Sequence, residues 1–269
     1  MNVSISNIAW DPAEDEEIIG ILKDYRVRGL EIAPTKVWDN PIDCDPYQVE
    51  QYKGYWLKEN IKIIAMQSLL FGQNDLHLFR EENSRQKMKN YLFRIIELAG
   101  RLGAKSLVFG SPKNRLVGDL TKVEQYNIAV PFFHSIGEYA VENNVQFCIE
   151  PNPVQYGCDF ITHSSEGLEL VEAVSSKGFK LHLDAAGMFL AEEDISKALE
   201  KSFPYLAHFH VSEPYLELIG SSRVQHHCYS RTLKSLGYNN WISIEMKNNL
   251  KSSNAESVKT ALQFISEIY

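Results

Sequence analysis

Eight times along this chain a short apolar run of strand character gives way to a polar turn and then to a longer segment of helical periodicity. That alternation constrains the fold more than any other feature. A strand followed by a helix rejoins its sheet only through a crossover, which makes neighbouring strands parallel. Eight such units in 269 residues point to a closed (β/α)8 barrel, a TIM barrel. Strands are expected over residues 3–8, 29–33, 61–66, 105–109, 146–150, 179–184, 205–211 and 241–246. Helices are expected over 14–25, 46–59, 84–102, 122–143, 164–174, 192–200, 227–236 and 255–268. No linker, repeat or low-complexity segment interrupts the series, so residues 1–269 are expected to form a single domain. The rival arrangement, an open doubly wound sheet, calls for a Gly-rich phosphate loop after an early strand, and the chain has none.

Barrel strands turn alternate residues to the interior, and the groups that do chemistry sit where strands end, beneath the βα loops. Phe147-Cys148-Ile149-Glu150-Pro151-Asn152-Pro153 is such an end: an apolar run stops at a carboxylate, and two prolines bar its continuation. The placement recurs at Asp184, His210 and Glu245 on strands six, seven and eight. Carboxylates grouped this closely repel one another unless a cation offsets their charge. Three carboxylates and one imidazole suit one divalent ion, Mn²⁺ or Mg²⁺ with Co²⁺ as a further candidate; zinc more often takes extra His or Cys ligands. Two residues deeper on their strands, His182 and His208 face the interior, either to hydrogen-bond these ligands or to fill a packed layer.

Other strand ends supply candidates for substrate contact. Strand four ends in Gly110-Ser111-Pro112-Lys113-Asn114-Arg115, which puts Lys113 and Arg115 at the barrel mouth, there to meet an anionic substrate group or simply to be solvated. Trp10, Glu31 and Gln67 close strands one, two and three and read as hydroxyl contacts or a stacking surface. Lys247 stands two beyond Glu245, and His227 opens the helix after strand seven; each is either a site contact or a surface residue.

The net charge of −8 argues against a nucleic-acid backbone or an anionic membrane as partner. No apolar run approaches the roughly 18 residues of a membrane span. The opening MNVSISNIAWDPAED lacks the basic and apolar parts of a secretory signal. Cys44, Cys148, Cys158 and Cys228 show no C-x-x-C spacing and are too few for a disulfide framework, so reduced thiols and a cytoplasmic location are expected.

At IEPNP, LHLDAAGM, HFHVSEP and LGYNNWISIEM the chain resembles the xylose isomerase-like TIM-barrel superfamily, and within it the sugar isomerases and epimerases related to D-tagatose 3-epimerase. The likeness runs over essentially the whole chain. It implies that Glu150, Asp184, His210 and Glu245 hold the metal, and that Glu150 and Glu245 are acid and base on opposite faces of the substrate carbon. The implied activity is a metal-dependent sugar or sugar-phosphate isomerisation or epimerisation through an enediolate. The implied partner is a small carbohydrate, neutral or anionic, with a homodimer as one assembly. Three positions depart from the pattern: Gly187 stands where the epimerases carry a substrate-contacting His, Gly157 where they carry a second Glu, and Leu216 near where they carry an Arg. Those departures leave open a keto-sugar or keto-acid dehydratase or lyase, and a barrel that binds sugar without turning it over. An endonuclease IV-like phosphodiesterase would need additional histidines, and Gly110 stands where one of them is expected.

Overall fold

The expected strands close on one another in chain order in the computed structural model, which describes residues 1–269. They are β1 (Asn2–Ser6), β2 (Gly29–Ile32), β3 (Lys62–Met66), β4 (Ser106–Phe109), β5 (Gln146–Ile149), β6 (Phe179–Asp184), β7 (Leu206–Ser212) and β8 (Trp241–Glu245). Every pairing is parallel, and β8 returns to β1 with Ile5 beside Ile244. The helices outside are α1 (Asp15–Asp24), α2 (Pro46–Lys58), α3 (Glu82–Leu102), α4 (Lys122–Glu142), α5 (Ser164–Val174), α6 (Ala185–Leu190), α7 (Ile195–Ser202), α8 (His226–Ser235) and α9 (Asn254–Ile268). No helix is long and apolar enough to cross a membrane.

Local chemistry sets the helix ends. Thr121 and Glu124 form a reciprocal capping box at the start of α4, and Asp45 caps α2 ahead of Pro46. Gly103 stops α3 with φ at 86°, a left-handed turn that glycine takes without steric cost. Between strands and helices lies the apolar core. Phe133 of α4 stacks on Phe179 at 4.9 Å and packs 5.7 Å from Phe109, so one aromatic cluster ties α4 across β4 and β6. Each such buried ring contributes about 1.5–3 kcal/mol by leaving water.

The strand interiors carry a different set of residues. Ser4, Ser106, Cys148, His182, His208 and Ser243 are all buried, a more polar filling than the branched aliphatics usual in such barrels. Pairing slips by one residue between Leu30 and Glu31 against β3, and again between Leu181 and His182 against β7. The second slip aligns His182 with His208 and Asp184 with His210. Bulges of this kind re-aim side chains, and both lie beside the residues that matter below.

The expected helix over 192–200 is α7, and a further short helix, α6, precedes it. Asp184 caps α6, which nothing in the apolar spacing had indicated. Glu192 then turns left-handed with φ at 54°, and Asp194 caps α7.

Candidate active site

At the C-terminal ends of the strands the barrel opens into a cavity of about 430 Å³. Glu150, Asp184 and Glu245 line it, together with Gln67, Asn152 and Ser212.

Glu150 follows β5 directly, its N–H still donating to the Phe109 carbonyl at 3.1 Å. Its carboxylate reaches over Gly110, where a Cβ would collide with Oε2, so a glycine there is what gives the carboxylate room. Asp184 does two jobs as the last residue of β6. Oδ1 accepts the Gly187 N–H at 2.6 Å, capping α6, and Oδ2 accepts the Ser212 hydroxyl. His210 places Nδ1 3.3 Å from Glu245 Oε2 and Nε2 2.9 Å from Glu31. One ligand atom each from Glu150, Asp184 and His210 all lie within 4.8 Å of one another.

The electrostatics of this cluster are those of a site short of positive charge. Burial pushes Glu150 up to about 8, with the Glu245 and Asp184 charges adding to the effect. Burial likewise raises Asp184 to about 6, again helped by Glu245. His210 moves the opposite way: burial works against its charged form, but Glu31 and Glu245 outweigh it and hold the imidazole well above its ordinary value. Glu31 is held well below the carboxylate range, since His210 and His208 outweigh the burial that opposes its ionisation.

A divalent cation fits this donor set. His210 Nδ1 is buried without a hydrogen-bond partner, and three acidic oxygen donors converge beside it. Hard oxygen donors with a single imidazole suit Mn²⁺ or Mg²⁺.

Gln67 lies where the sequence suggested, on the cavity wall with its amide donating to Ser6 at 2.7 Å. Trp10 does not: it is buried, donates to Asp15 at 2.7 Å, and borders a separate recess with Lys36 and Tyr52. Arg115 is no mouth cation either. The turn at 112–115 folds it inward until it is 0% exposed, and its guanidinium donates to the Glu150 carbonyl at 2.7 Å and to Asn152 at 3.0 Å. Lys113 is exposed and lies off the cavity wall. His227 is exposed at the start of α8 in another recess, while its neighbour His226 is buried against Glu213 at 3.1 Å. Lys247 is exposed and pairs with Glu217 instead of the cavity. His182 and His208 are buried beneath the cluster, with His182 Nε2 3.8 Å from Glu150.

Several lining residues went unread in the sequence. Ser212 stands two beyond His210, so the same period-two rule would have found it. Tyr156 and Tyr215 meet edge to face at 5.6 Å on the cavity rim, and the Tyr215 N–H donates to the Tyr156 hydroxyl at 3.1 Å. Ser68, Ser111, Tyr215 and Leu216 on that rim all have positive φ, between 43° and 61°. Such backbone strain gathers at ligand sites.

A family model described as xylose isomerase-like TIM barrel matches residues 19–268. A probable ketose 3-epimerase of Synechocystis sp. (strain ATCC 27184 / PCC 6803 / Kazusa) is 25% identical over 238 residues, covering 87% of this chain and 79% of that protein. The structure of D-psicose 3-epimerase with D-tagatose from Clostridium cellulolyticum H10 superposes with a TM-score of 0.81 at 17% identity, over 100% of this chain and 99% of that one. The 3-keto-D-glucoside 4-epimerase of E. coli superposes equally well, with a TM-score of 0.81 at 16% identity over 99% of each chain. At these identities the structural likenesses speak to the fold.

Proposed function

The chain belongs to the xylose isomerase-like TIM barrel family, and from that premise we propose that it is a divalent-metal-dependent sugar epimerase or isomerase. One observation carries the reading: Glu150, Asp184 and His210 bring ligand atoms within 4.8 Å of one another, with Glu245 beside His210, on the wall of the strand-end cavity. The relatives and structural neighbours named above, which act on ketoses and a keto-glucoside by their descriptions, support the substrate class.

Glu150, Asp184, His210 and Glu245 would hold the ion, which supplies Lewis-acid stabilisation of negative charge at a carbonyl and its neighbouring hydroxyl. The proton chemistry then belongs to the two glutamates. They stand on β8 and just past β5, three strands apart around the barrel and both on the cavity wall, so one would take the proton next to the carbonyl while the other returns it. Return from the opposite face inverts the carbon; return to the neighbouring carbon isomerises the sugar. Gln67 and Asn152 offer amides to substrate hydroxyls, and the Tyr156–Tyr215 pair offers the aromatic rim that Trp10 does not. Gly110 leaves no ligand where an endonuclease IV-like metal cluster needs a histidine, which disfavours the phosphodiesterase reading.

The test is incubation with a panel of ketoses, sugar phosphates and keto acids in D₂O with Mn²⁺, read by NMR and mass spectrometry. An epimer or isomer carrying one solvent deuterium is the expected product. Loss of water would replace the proposal with a dehydratase. Binding by calorimetry without turnover would replace it with a sugar-binding barrel.

A further inference from the structure

Glu31 meets His210 at Nε2, while the other ring nitrogen, Nδ1, faces Glu245 of the cavity wall. Glu31 is 0% exposed one residue before the end of β2, next to the pairing slip between Leu30 and Glu31. Its two carboxylate oxygens lie 3.1 and 2.9 Å from His210 Nε2, and the first of them is also 3.5 Å from His208 Nε2. No lysine or arginine pairs with it; imidazoles are its partners.

We infer that Glu31 is a positioning residue, which decides the nitrogen of His210 that carries hydrogen and thereby turns the Nδ1 lone pair toward Glu150, Asp184 and Glu245. The inference rests on the ion-binding reading of the site. An ionised carboxylate accepts hydrogen bonds and donates none, so the nitrogen facing it carries the hydrogen. An imidazole that gives up one proton to bind an ion keeps a single N–H, and with that hydrogen on Nε2 the Nδ1 atom presents the lone pair. The structure has Nδ1 buried, without a hydrogen-bond partner, and 3.3 Å from Glu245.

Two neighbours keep the arrangement from swinging. The His182 ring packs edge-on against the His210 ring at 4.1 Å, which opposes a ring flip, and His208 stands beside one oxygen of Glu31. A carboxylate buried this deeply is costly unless its partners satisfy it. An aliphatic residue is the ordinary filling of such a layer and could offer His210 no acceptor. Carboxylates in this place orient the imidazole and raise its basicity toward a metal, and their loss costs about 10- to 100-fold in metal affinity.

The test titrates Mn²⁺ by calorimetry into metal-free wild type, Glu31→Leu and Glu31→Gln, and records ¹⁵N-histidine spectra of the Zn²⁺-loaded proteins. In Glu31→Leu, Mn²⁺ binding is expected to weaken about 10- to 100-fold. In the wild type, the His210 spectrum is expected to show a protonated Nε2 and a hydrogen-free, metal-bound Nδ1, a pattern lost or averaged in Glu31→Leu. A folded Glu31→Leu protein that binds Mn²⁺ as tightly as wild type overturns the inference. If the leucine variant does not fold, Glu31→Gln carries the test, because its amide oxygen still accepts from Nε2 but bears no charge. It should bind Mn²⁺ several-fold more weakly at an unchanged melting temperature, and equal affinity overturns the inference. Wild type that binds no divalent ion defeats the ion reading itself, an outcome separable from equal affinities among proteins that do bind.

Discussion

Arg115 donates to the backbone carbonyl of Glu150 at 2.7 Å, so a guanidinium with no exposed surface holds the central carboxylate's backbone from behind. The same guanidinium donates to Asn152 on the cavity wall at 3.0 Å. Replacing Arg115 with Ala leaves both acceptors unpartnered and is expected to cost at least about 1–3 kcal/mol in urea unfolding. Turnover should fall with it as Glu150 loses its anchor. Lys113→Ala, two residues away and exposed, should change stability by less than about 0.5 kcal/mol.

Gly110 makes a sharper probe of the same carboxylate. A methyl group there would meet Glu150 Oε2 head-on and Asn152 Oδ1 at 3.2 Å, while the backbone φ places no demand for glycine. Gly110→Ala should therefore fold but displace Glu150. A displacement near 1 Å costs about 100-fold in rate when the group is a reacting one. Steady-state kinetics beside a thermal melt would check it: an unchanged kcat in the folded variant would speak against a reacting role for Glu150.

The raised carboxyls predict how pH and metal act together. In the metal-free protein Glu150 titrates at about 8 and Asp184 at about 6, against ordinary values of 4.5 and 3.8. Between those limits the folded state binds protons that the unfolded chain has released. Stability from these groups is therefore full at low pH and is lost as pH rises toward 8. A divalent ion takes the place of those protons, so Mn²⁺ should raise the melting temperature more at pH 8 than at pH 6. At about 100 times its Kd the ion adds about 2.7 kcal/mol. Calorimetric scans with Mn²⁺ or EDTA at both pH values would check this, and Asp184→Asn should abolish the metal-dependent difference.

The rim tyrosines separate binding from folding. Tyr215 is 60% exposed in a left-handed conformation with φ at 61°, so Tyr215→Gly removes the ring and relieves backbone strain together. Stability should hold or improve by up to about 1 kcal/mol while KM rises several-fold. An unchanged KM would remove Tyr215 from the substrate surface.

Most of the barrel was legible because it is written in local alternation: an apolar strand, a turn, a helix with caps at its ends. The cluster was legible for the same reason. Period two carries Cys148 to Glu150, His182 to Asp184, His208 to His210 and Ser243 to Glu245, and strand ends define the mouth. What escaped depends on three-dimensional folding of short loops. Arg115 reads as a surface cation until the turn opened by Pro112 carries it under β5. His226 and His227 are adjacent, and which one turns inward depends on Glu213 waiting inside at 3.1 Å. Trp10 lies beyond β1, just past a short helical turn over Asn7–Ala9, and is tucked against Asp15. Glu31 lies near the end of its strand, yet its partner His210 is 179 residues distant, and a pairing slip brings no sequence signal. Leu216 and Tyr215 bend left-handed without a glycine to announce it.

The central claim is that Glu150 and Glu245 are the two proton carriers of one reaction. It is tested most directly by solvent-deuterium incorporation at the reacting carbon, measured for wild type, Glu150→Gln and Glu245→Gln with Mn²⁺ and the substrate found by screening. The account predicts exchange in the wild type and a fall of at least about 100-fold in each folded variant, the lower end of what one general acid or base supplies. Wild-type exchange rates in either variant would contradict it.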